Sequence, residues 1–227
     1  MMQILNVSAS AVQFLREKII TGELKPGQKL NESSLSSELG ISRPPIREAF
    51  RLLEKDHLAV NISRKGTYVT DISIKDFEEV FQTREMIECY AIDLLRAGNI
   101  RDLPKVNLAL DRAIKIRMPI NSMDPEQLLK CIKVFSEFHP SLVESCGNSL
   151  LADIYHSISF NLARYQFIYF YMDGGTVQHS VEAHKTTFEL IKKGNYDQAK
   201  KELREHLNHV VELVKDRILQ AAVFSAA

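Results

Sequence analysis

Three arginines four residues apart, Arg43, Arg47 and Arg51, fall on roughly one side of any helix that carries them. A guanidinium is a planar fork that donates two parallel hydrogen bonds, so it suits both phosphate oxygens and the O6/N7 edge of guanine. The opposite side of the same stretch is apolar, with Ile46, Ala49, Phe50 and Leu53. A helix laid in the major groove of DNA needs this division: one face holds it to its domain, the other meets bases and phosphates. A second basic group, Arg64-Lys65-Gly66, follows shortly and has the chemistry to reach a neighbouring minor groove or its phosphates. Spacing alone fits a solvated helix face equally well, because Glu48, Glu54 and Asp56 are at hand for ion pairs.

The surrounding elements tilt the balance toward DNA. A first helix is predicted from about Ser10 to Thr21, with Val12, Leu15 and Ile19 on one face and Gly22 as its stop. Pro26-Gly27 reads as a turn. Asn31 is a suitable N-cap for a short second helix carrying Leu35 and Leu39 and ended by Gly40. Ser42 is expected to cap the arginine-bearing third helix, with Pro44 and Pro45 in its first turn, where a missing N–H costs little. Residues 58–62 and 67–70 are rich in β-branched side chains and flank Ser63-Arg64-Lys65-Gly66, a hairpin tip with glycine available for positive φ. Helix, helix, basic helix and basic-tipped hairpin make a winged helix-turn-helix over residues 1–72. Such a unit binds double-stranded DNA, or else a protein partner.

Residues 73–227 read as all-helical. Ser73 caps the next helix, with Asp76 at the capping-box position, where Asp is a poorer match than Glu. Helices are predicted near 74–97, 103–117, 125–146, 149–172, 177–193 and 197–220. They are punctuated by Asp124-Pro125, Gly147-Asn148, Gly174-Gly175 and Gly194-Asn195. The fold class is thus mainly α: an N-terminal winged helix-turn-helix plus a C-terminal all-α helical bundle.

Composition sets the outer bounds. The 227 residues are 45% hydrophobic and 26% charged, as in a globular chain, and no apolar run approaches the roughly 20 residues that span a bilayer. The first ten residues lack the pattern of a signal peptide. Cys89, Cys131 and Cys146 are odd in number and form no CxxC pair, which fits buried thiols in a reducing compartment, and a cytoplasmic location is expected. The formal net charge is zero, yet residues 1–72 hold 10 Lys and Arg against 8 Asp and Glu, while 73–227 hold 19 against 21. A basic face binds phosphate even within a neutral protein.

Residues 30–69 resemble the winged helix of the GntR family of bacterial regulators. The resemblance is carried by Leu30, Glu32, Leu39-Gly40-Ile41-Ser42-Arg43, Pro45-Ile46-Arg47-Glu48-Ala49, Leu53-Glu54 and Gly66-Thr67-Tyr68-Val69. It implies operator contacts by Ser42, Arg43, Arg47 and the wing tip at Arg64, Lys65 and Gly66. Arg51 joins them on the spacing above. Pro44 stands where the family commonly has Thr, and a hydroxyl is lost there.

Residues 73–220 resemble the all-helical effector domain of the FadR-like branch, called FCD. Its matches are Arg84 with Glu88, Phe138-His139, Leu142, Gly147-Asn148, Glu182 with His184, and Gly194-Asn195 through Ala199 to His206-Leu207. The resemblance implies a bundle of about six helices around an effector cavity, a homodimer formed through this domain, and no enzyme activity. Many members hold a divalent metal on one Asp and three His. The histidines carry over as His139, His184 and His206, a set suited to Zn or Ni. The Asp does not, because Phe135 stands there. Glu137, two residues before His139, should point elsewhere on a straight helix, and Pro140 should kink it. His156, His179 and His209 match no family position and are read as incidental. Arg84 is expected either to grip an effector carboxylate, with Phe135 bordering the effector, or to make a plain i,i+4 pair with Glu88. Asn148 is expected to be an N-cap, and Tyr165, Tyr169 and Phe170 core. Two other readings are a metal-free regulator with a larger acyl-type ligand and a three-His metal-dependent hydrolase.

Overall fold

The computed structural model describes residues 2–116, 123–173 and 177–225. The chain divides into two compact units, Met1–Ile72 with Ser157–Arg164, and Ser73–His156 with Tyr165–Ala227.

The first unit is built on three helices and a hairpin. Helix α1 (Met2–Ile20) begins eight residues before the expected Ser10, because no glycine or proline precedes Gly22 to stop it. Its residues Leu15 and Ile19 pack against Ile46, Ala49, Phe50 and Leu53 of α3 (Arg43–Lys55), together with Leu35 of α2 (Glu32–Leu39) and Leu58 and Val69 from the hairpin. Asn31 caps α2 as expected, accepting from the backbone N–H of Ser33 and Ser34, and Gly40 closes it in the left-handed conformation. Asn161 and Arg164, counted with this unit, donate to the backbone oxygens of Asp56 and Thr70.

Ser42 departs from expectation. It occupies the N-cap position of α3 with extended backbone, yet its side chain makes no capping hydrogen bond. A capping oxygen accepts from the second or third helical N–H. Here those positions are Pro44 and Pro45, which have none.

Strands β1 (Ala59–Ile62) and β2 (Gly66–Val69) pair antiparallel, Ala59 opposite Val69 and Ile62 opposite Gly66. The tip turns with positive φ at Arg64 (62°) as well as at Gly66 (112°), so glycine does not carry the turn alone. On the other edge of β2 a short stretch adds itself to the sheet: Leu30 donates to the Thr67 carbonyl, and Val69 donates to that of Gln28. The turn read at Pro26-Gly27 is thus the start of a bridging segment.

The second unit is helical throughout its described residues. Helix α4 (Ile74–Ala97) has the predicted bounds, and Ser73 accepts from the Asp76 N–H. The described bonds include no return bond from the Asp76 side chain. A complete box forms instead at Asp124 and Gln127, at the start of α6 (Pro125–Ser136), where the longer side chain reaches back. Helix α5 (Pro104–Ala113) ends before the predicted Arg117, which lies outside the described residues.

The predicted helix over 125–146 is two helices, α6 and α7 (Phe138–Ser145). The break falls at Glu137, three residues before Pro140. Proline has no N–H to give the Ser136 carbonyl and crowds the preceding turn, so the ladder fails upstream of the ring. In α7 Pro140 is the third helical residue, where its missing donor costs little.

Helix α8 (Ser149–Asp173) starts after Gly147, and the Asn148 side chain accepts from the Leu151 N–H, as expected of an N-cap. The turn expected at Gly174-Gly175 and the side chain of Tyr169 lie outside what the structure describes. Helices α9 (Val177–Lys192) and α10 (Tyr196–Ser225) complete the unit. Its core joins Ile92 and Leu95 of α4, Val106 and Leu110 of α5, Phe138 and Leu142 of α7, Phe188 and Ile191 of α9, and Ala199, Leu203 and Leu207 of α10.

Candidate functional site

Two groups of residues stand out, one in each unit. In the first, Arg43, Arg47 and Arg51 are exposed along α3 while its other face is buried. Arg47 Nε lies 2.8 Å from Glu32 Oε2, and Arg51 Nη1 lies 3.5 Å from Glu48. Such exposed pairs contribute at most about 1 kcal/mol, so a phosphate can displace them at little cost. Arg43 has no hydrogen-bond or ion-pair partner among the described residues, and the Ser42 hydroxyl, denied its capping role, has none either.

Arg64 and Lys65 are exposed at the hairpin tip. Gly66 serves conformation: its φ is positive, and a Cβ there would meet Lys29 Cε at 3.2 Å. That contact brings out a cation which sequence reasoning missed. Lys29 is far from the tip in sequence, but the bridging segment lays it beside Gly66 and over the Tyr68 ring.

In the second unit, α7, α9 and α10 bring His139, His184 and His206 together in the interior. One nitrogen from each ring lies within 4.8 Å of the others. Phe138 stacks flat on His184 at 4.3 Å between centroids, and His139 meets His184 edge-on at 4.5 Å. His184 Nε2 and His206 Nε2 face one another at 3.0 Å. Two lone pairs cannot bond each other, so in this arrangement one ring carries its proton at that atom. Burial, with Arg84 and the neighbouring rings, holds His139 and His184 well below the usual histidine range. His206 is pushed down to about 3, by burial first, then by Arg84, His179 and His209, with Glu88 opposing. All three are therefore neutral imidazoles at neutral pH.

Arg84 and Glu88 are both fully buried, unlike an ordinary surface i,i+4 pair. Arg84 Nε donates to Glu88 Oε1 at 2.7 Å, and the Tyr155 hydroxyl donates to the same oxygen at 3.2 Å. Glu88 Oε2 lies 2.9 Å from His139 Nδ1. Glu88 is thus part of the cluster, a role that went unread in the sequence. Its signal was there: Phe77, Phe81, Arg84, Glu88, Ala91 and Leu95 follow one helical stripe, and all are buried.

Phe135 is buried at the end of α6 with its ring 6.5 Å from Phe170; its described ring contact is with Phe170 and not with the imidazoles. Glu137 points away, as expected, and bonds Arg112 at 2.8 Å. His156 lies 3.3 Å from Glu144, and the exposed His179 and His209 rings meet at 4.8 Å.

The cluster fits a divalent cation on the chemistry of its donors. Neutral imidazole is the ligand form, and at Zn–N distances near 2.0 Å two ligands of a tetrahedral ion stand about 3.3 Å apart. The His184–His206 separation is close to that. His206 Nδ1, on the other side of the ring from the nitrogen that faces His184, is a buried polar atom without a hydrogen-bond partner among the described residues.

Residues 7–69 match the family described as bacterial regulatory proteins, gntR family, and residues 79–209 match the FCD domain. The chain is 30% identical over 202 residues to the Bacillus subtilis HTH-type transcriptional regulator YdhC, covering 88% of each chain. It is 22% identical to the Escherichia coli HTH-type transcriptional repressor GlaR, covering 88% of this chain and 92% of that one. In fold it resembles a putative GntR transcriptional regulator from Rhodococcus sp. RHA1, with a TM-score of 0.69 at 22% identity over 92% and 97% of the two chains. It also resembles Escherichia coli McbR/YncC, with a TM-score of 0.72 at 17% identity over 93% and 98%.

The buried histidines make stability depend on pH. Their folded-state values lie below the roughly 6.5 of an unfolded histidine, so below that pH the unfolded chain binds more protons. Their contribution is complete above about pH 6.5 and is lost as pH falls toward about 3, where His206 is protonated. The urea midpoint of chelator-treated protein should therefore drop between about pH 7 and about pH 5. His206→Gln should reduce that slope; equal slopes in the two proteins would contradict a buried neutral His206.

Proposed function

This chain belongs to the GntR family of bacterial regulatory proteins, with an FCD domain behind its winged helix, and from that premise we propose how its two candidate sites divide the work. It is a DNA-binding transcriptional regulator with an effector-binding domain, a non-enzymatic class. In the proposed division, residues 1–72 bind the operator and residues 73–227 bind the effector and form the dimer. Ser42, Arg43, Arg47 and Arg51 of the third helix, with Arg64, Lys65 and Gly66 of the wing, make the operator contacts. The three-histidine cluster anchors an organic acid through a divalent cation, Zn or Ni.

The observation that carries the effector assignment is the convergence of three buried, neutral imidazoles beside a buried arginine. His139, His184 and His206 would hold the cation, which supplies a Lewis-acidic anchor for an anionic group. With Phe135 in place of an aspartate, and with Arg84 and Glu88 cancelling one another, the protein provides no net negative charge to balance it. A carboxylate ligand meets that demand better than water in a dry interior. Arg84 spends its Nε on Glu88, so it assists mainly through its charge unless it leaves that carboxylate.

One observation favours the metal-free alternative: the rings already bond one another and Glu88, so the cluster is nearly satisfied by itself. The hydrolase reading has no such support. Both Glu88 oxygens are engaged, which leaves no free carboxylate at the cluster among the described residues, and the relatives are regulators.

Assembly as a homodimer is supported by exposed apolar side chains of the second unit on two helices that touch through side chains. Met86 (66% exposed) and Tyr90 lie on α4, and Leu150 (68%) and Ile154 on α8. The two helices meet where Tyr155 touches Glu88 and Phe77 touches Tyr165. A second copy is the occupant proposed for this face, because a two-fold dimer matches one winged helix to each half of a palindromic operator. No helix among the described residues is long and apolar enough to cross a membrane.

Arg43→Ala and Arg47→Ala should each weaken operator binding by about 1–3 kcal/mol in gel shifts if the lost contact is a base edge. Unchanged shifts in both folded variants would remove the assignment. Phe135→Asp should tighten zinc binding and weaken the effector, since the new carboxylate competes for the same place. Calorimetry with organic acids, with and without chelator, is the measurement; equal acid affinity in both states selects the metal-free alternative. Met86→Glu with Leu150→Glu should shift light scattering from dimer toward monomer, and a monomeric wild type would overturn the dimer.

A further inference from the structure

We propose that Glu88 is the positioning residue of the histidine cluster: it fixes His139 as a ligand with a free Nε2 and shields an incoming cation from Arg84. This rests on the reading that the three imidazoles hold a divalent cation, and it adds the residue that makes the site competent.

The first half follows from one hydrogen bond. A neutral imidazole has one proton and two places to keep it. Glu88 Oε2 lies 2.9 Å from His139 Nδ1 in a fully buried setting. An ionised carboxylate only accepts, so the proton belongs on Nδ1 and donates to Glu88. Nε2 is then left with its lone pair, the form in which a ring binds metal. A carboxylate behind a ligating histidine also raises the ring's basicity and fixes its orientation. His184 and His206 face one another through their Nε2 atoms, and no such carboxylate is bonded to either among the described residues. His139 is therefore the one ring of the three with a fixed proton.

The second half concerns charge. Arg84 is buried on the helix that carries Glu88. An uncompensated guanidinium there would oppose any cation brought to the imidazoles, and its own burial would be costly. Glu88 Oε1 accepts from Arg84 at 2.7 Å and from Tyr155 at 3.2 Å, so one carboxylate neutralises the arginine and orients the ligand. This places the negative charge of the site on α4, reaching the ligands through a ring nitrogen, rather than at position 135, where Phe has none.

The experiment must separate this role from mere support of the fold. Glu88→Gln alone strands a buried cation and risks unfolding. The pair Arg84→Met with Glu88→Leu removes both charges at similar volume, a replacement that is often tolerated. Arg84→Met with Glu88→Gln keeps an acceptor for His139. Two readouts on full-length, chelator-treated protein decide the matter: side-chain nitrogen NMR of His139, and calorimetric titration with zinc alone. Wild type should show the proton of His139 on Nδ1. The Met/Leu pair should lose that preference and bind zinc about 10–100-fold more weakly. The Met/Gln pair should recover the proton position and part of the affinity. If wild type binds zinc and the Met/Leu pair matches it within about twofold, with unchanged His139 shifts, the inference is overturned while the metal reading survives. If wild type binds no zinc at all, the metal reading falls and takes this role with it.

Discussion

The second unit depends most on a carboxylate with nowhere else to go. Taking an ion out of water costs several kcal/mol, and the cost is recovered only when its oxygens find donors. Glu88 meets that condition with Arg84 from its own helix, Tyr155 from α8 and His139 from α7. Burial and the neighbouring carboxylate hold the Tyr155 hydroxyl well above its usual range, so it stays a donor. Arg84 remains protonated because Glu88 and Tyr155 outweigh the burial that would lower it. Three helices therefore meet at one group, and the imidazoles of α9 and α10 gather at the His139 ring that this group holds.

The winged helix shows a different economy. The arginine face of α3 is exposed and its ion pairs are weak, so an incoming phosphate displaces them at little cost. Pro44 and Pro45 start α3 with fixed backbone angles and, by lacking N–H groups, leave the Ser42 hydroxyl without a capping bond. The hydroxyl that a threonine at position 44 would bring is absent. The one at Ser42 sits at the helix N-terminus, where the dipole favours an anion.

Much of this was legible in the sequence, and the exceptions share a cause. Periodicity and caps placed α2, α4 and the hairpin because those signals are local: Asn31, Gly40 and Ser73 act within one turn. One helix kinked at Pro140 was expected over 125–146, and the structure has instead two helices parted at Glu137, since a proline acts on the turn before it. The three histidines come from distant helices, and no spacing rule joins them; only resemblance to a family did. Glu88 was visible as the partner of Arg84, yet an i,i+4 pair looks the same on a surface as in a core. Its position on the apolar stripe of α4 separates the two cases. Lys29 was invisible for another reason, since the segment that carries it joins β2 by backbone bonds that side chains do not announce.

That same segment leaves the wing lopsided. It covers one edge of β2, while the outer edge of β1 has no backbone partner among the described residues and carries Val60 and Ile62 partly exposed. An open edge with apolar side chains is a template for strand pairing between molecules, and proteins commonly blunt such edges with charge. Arg64 and Lys65 stand at the end of this one. The two wing-tip cations thus stand as gatekeepers against aggregation. A chain stripped of them would lose the charge that keeps two such edges apart, and with it colloidal stability.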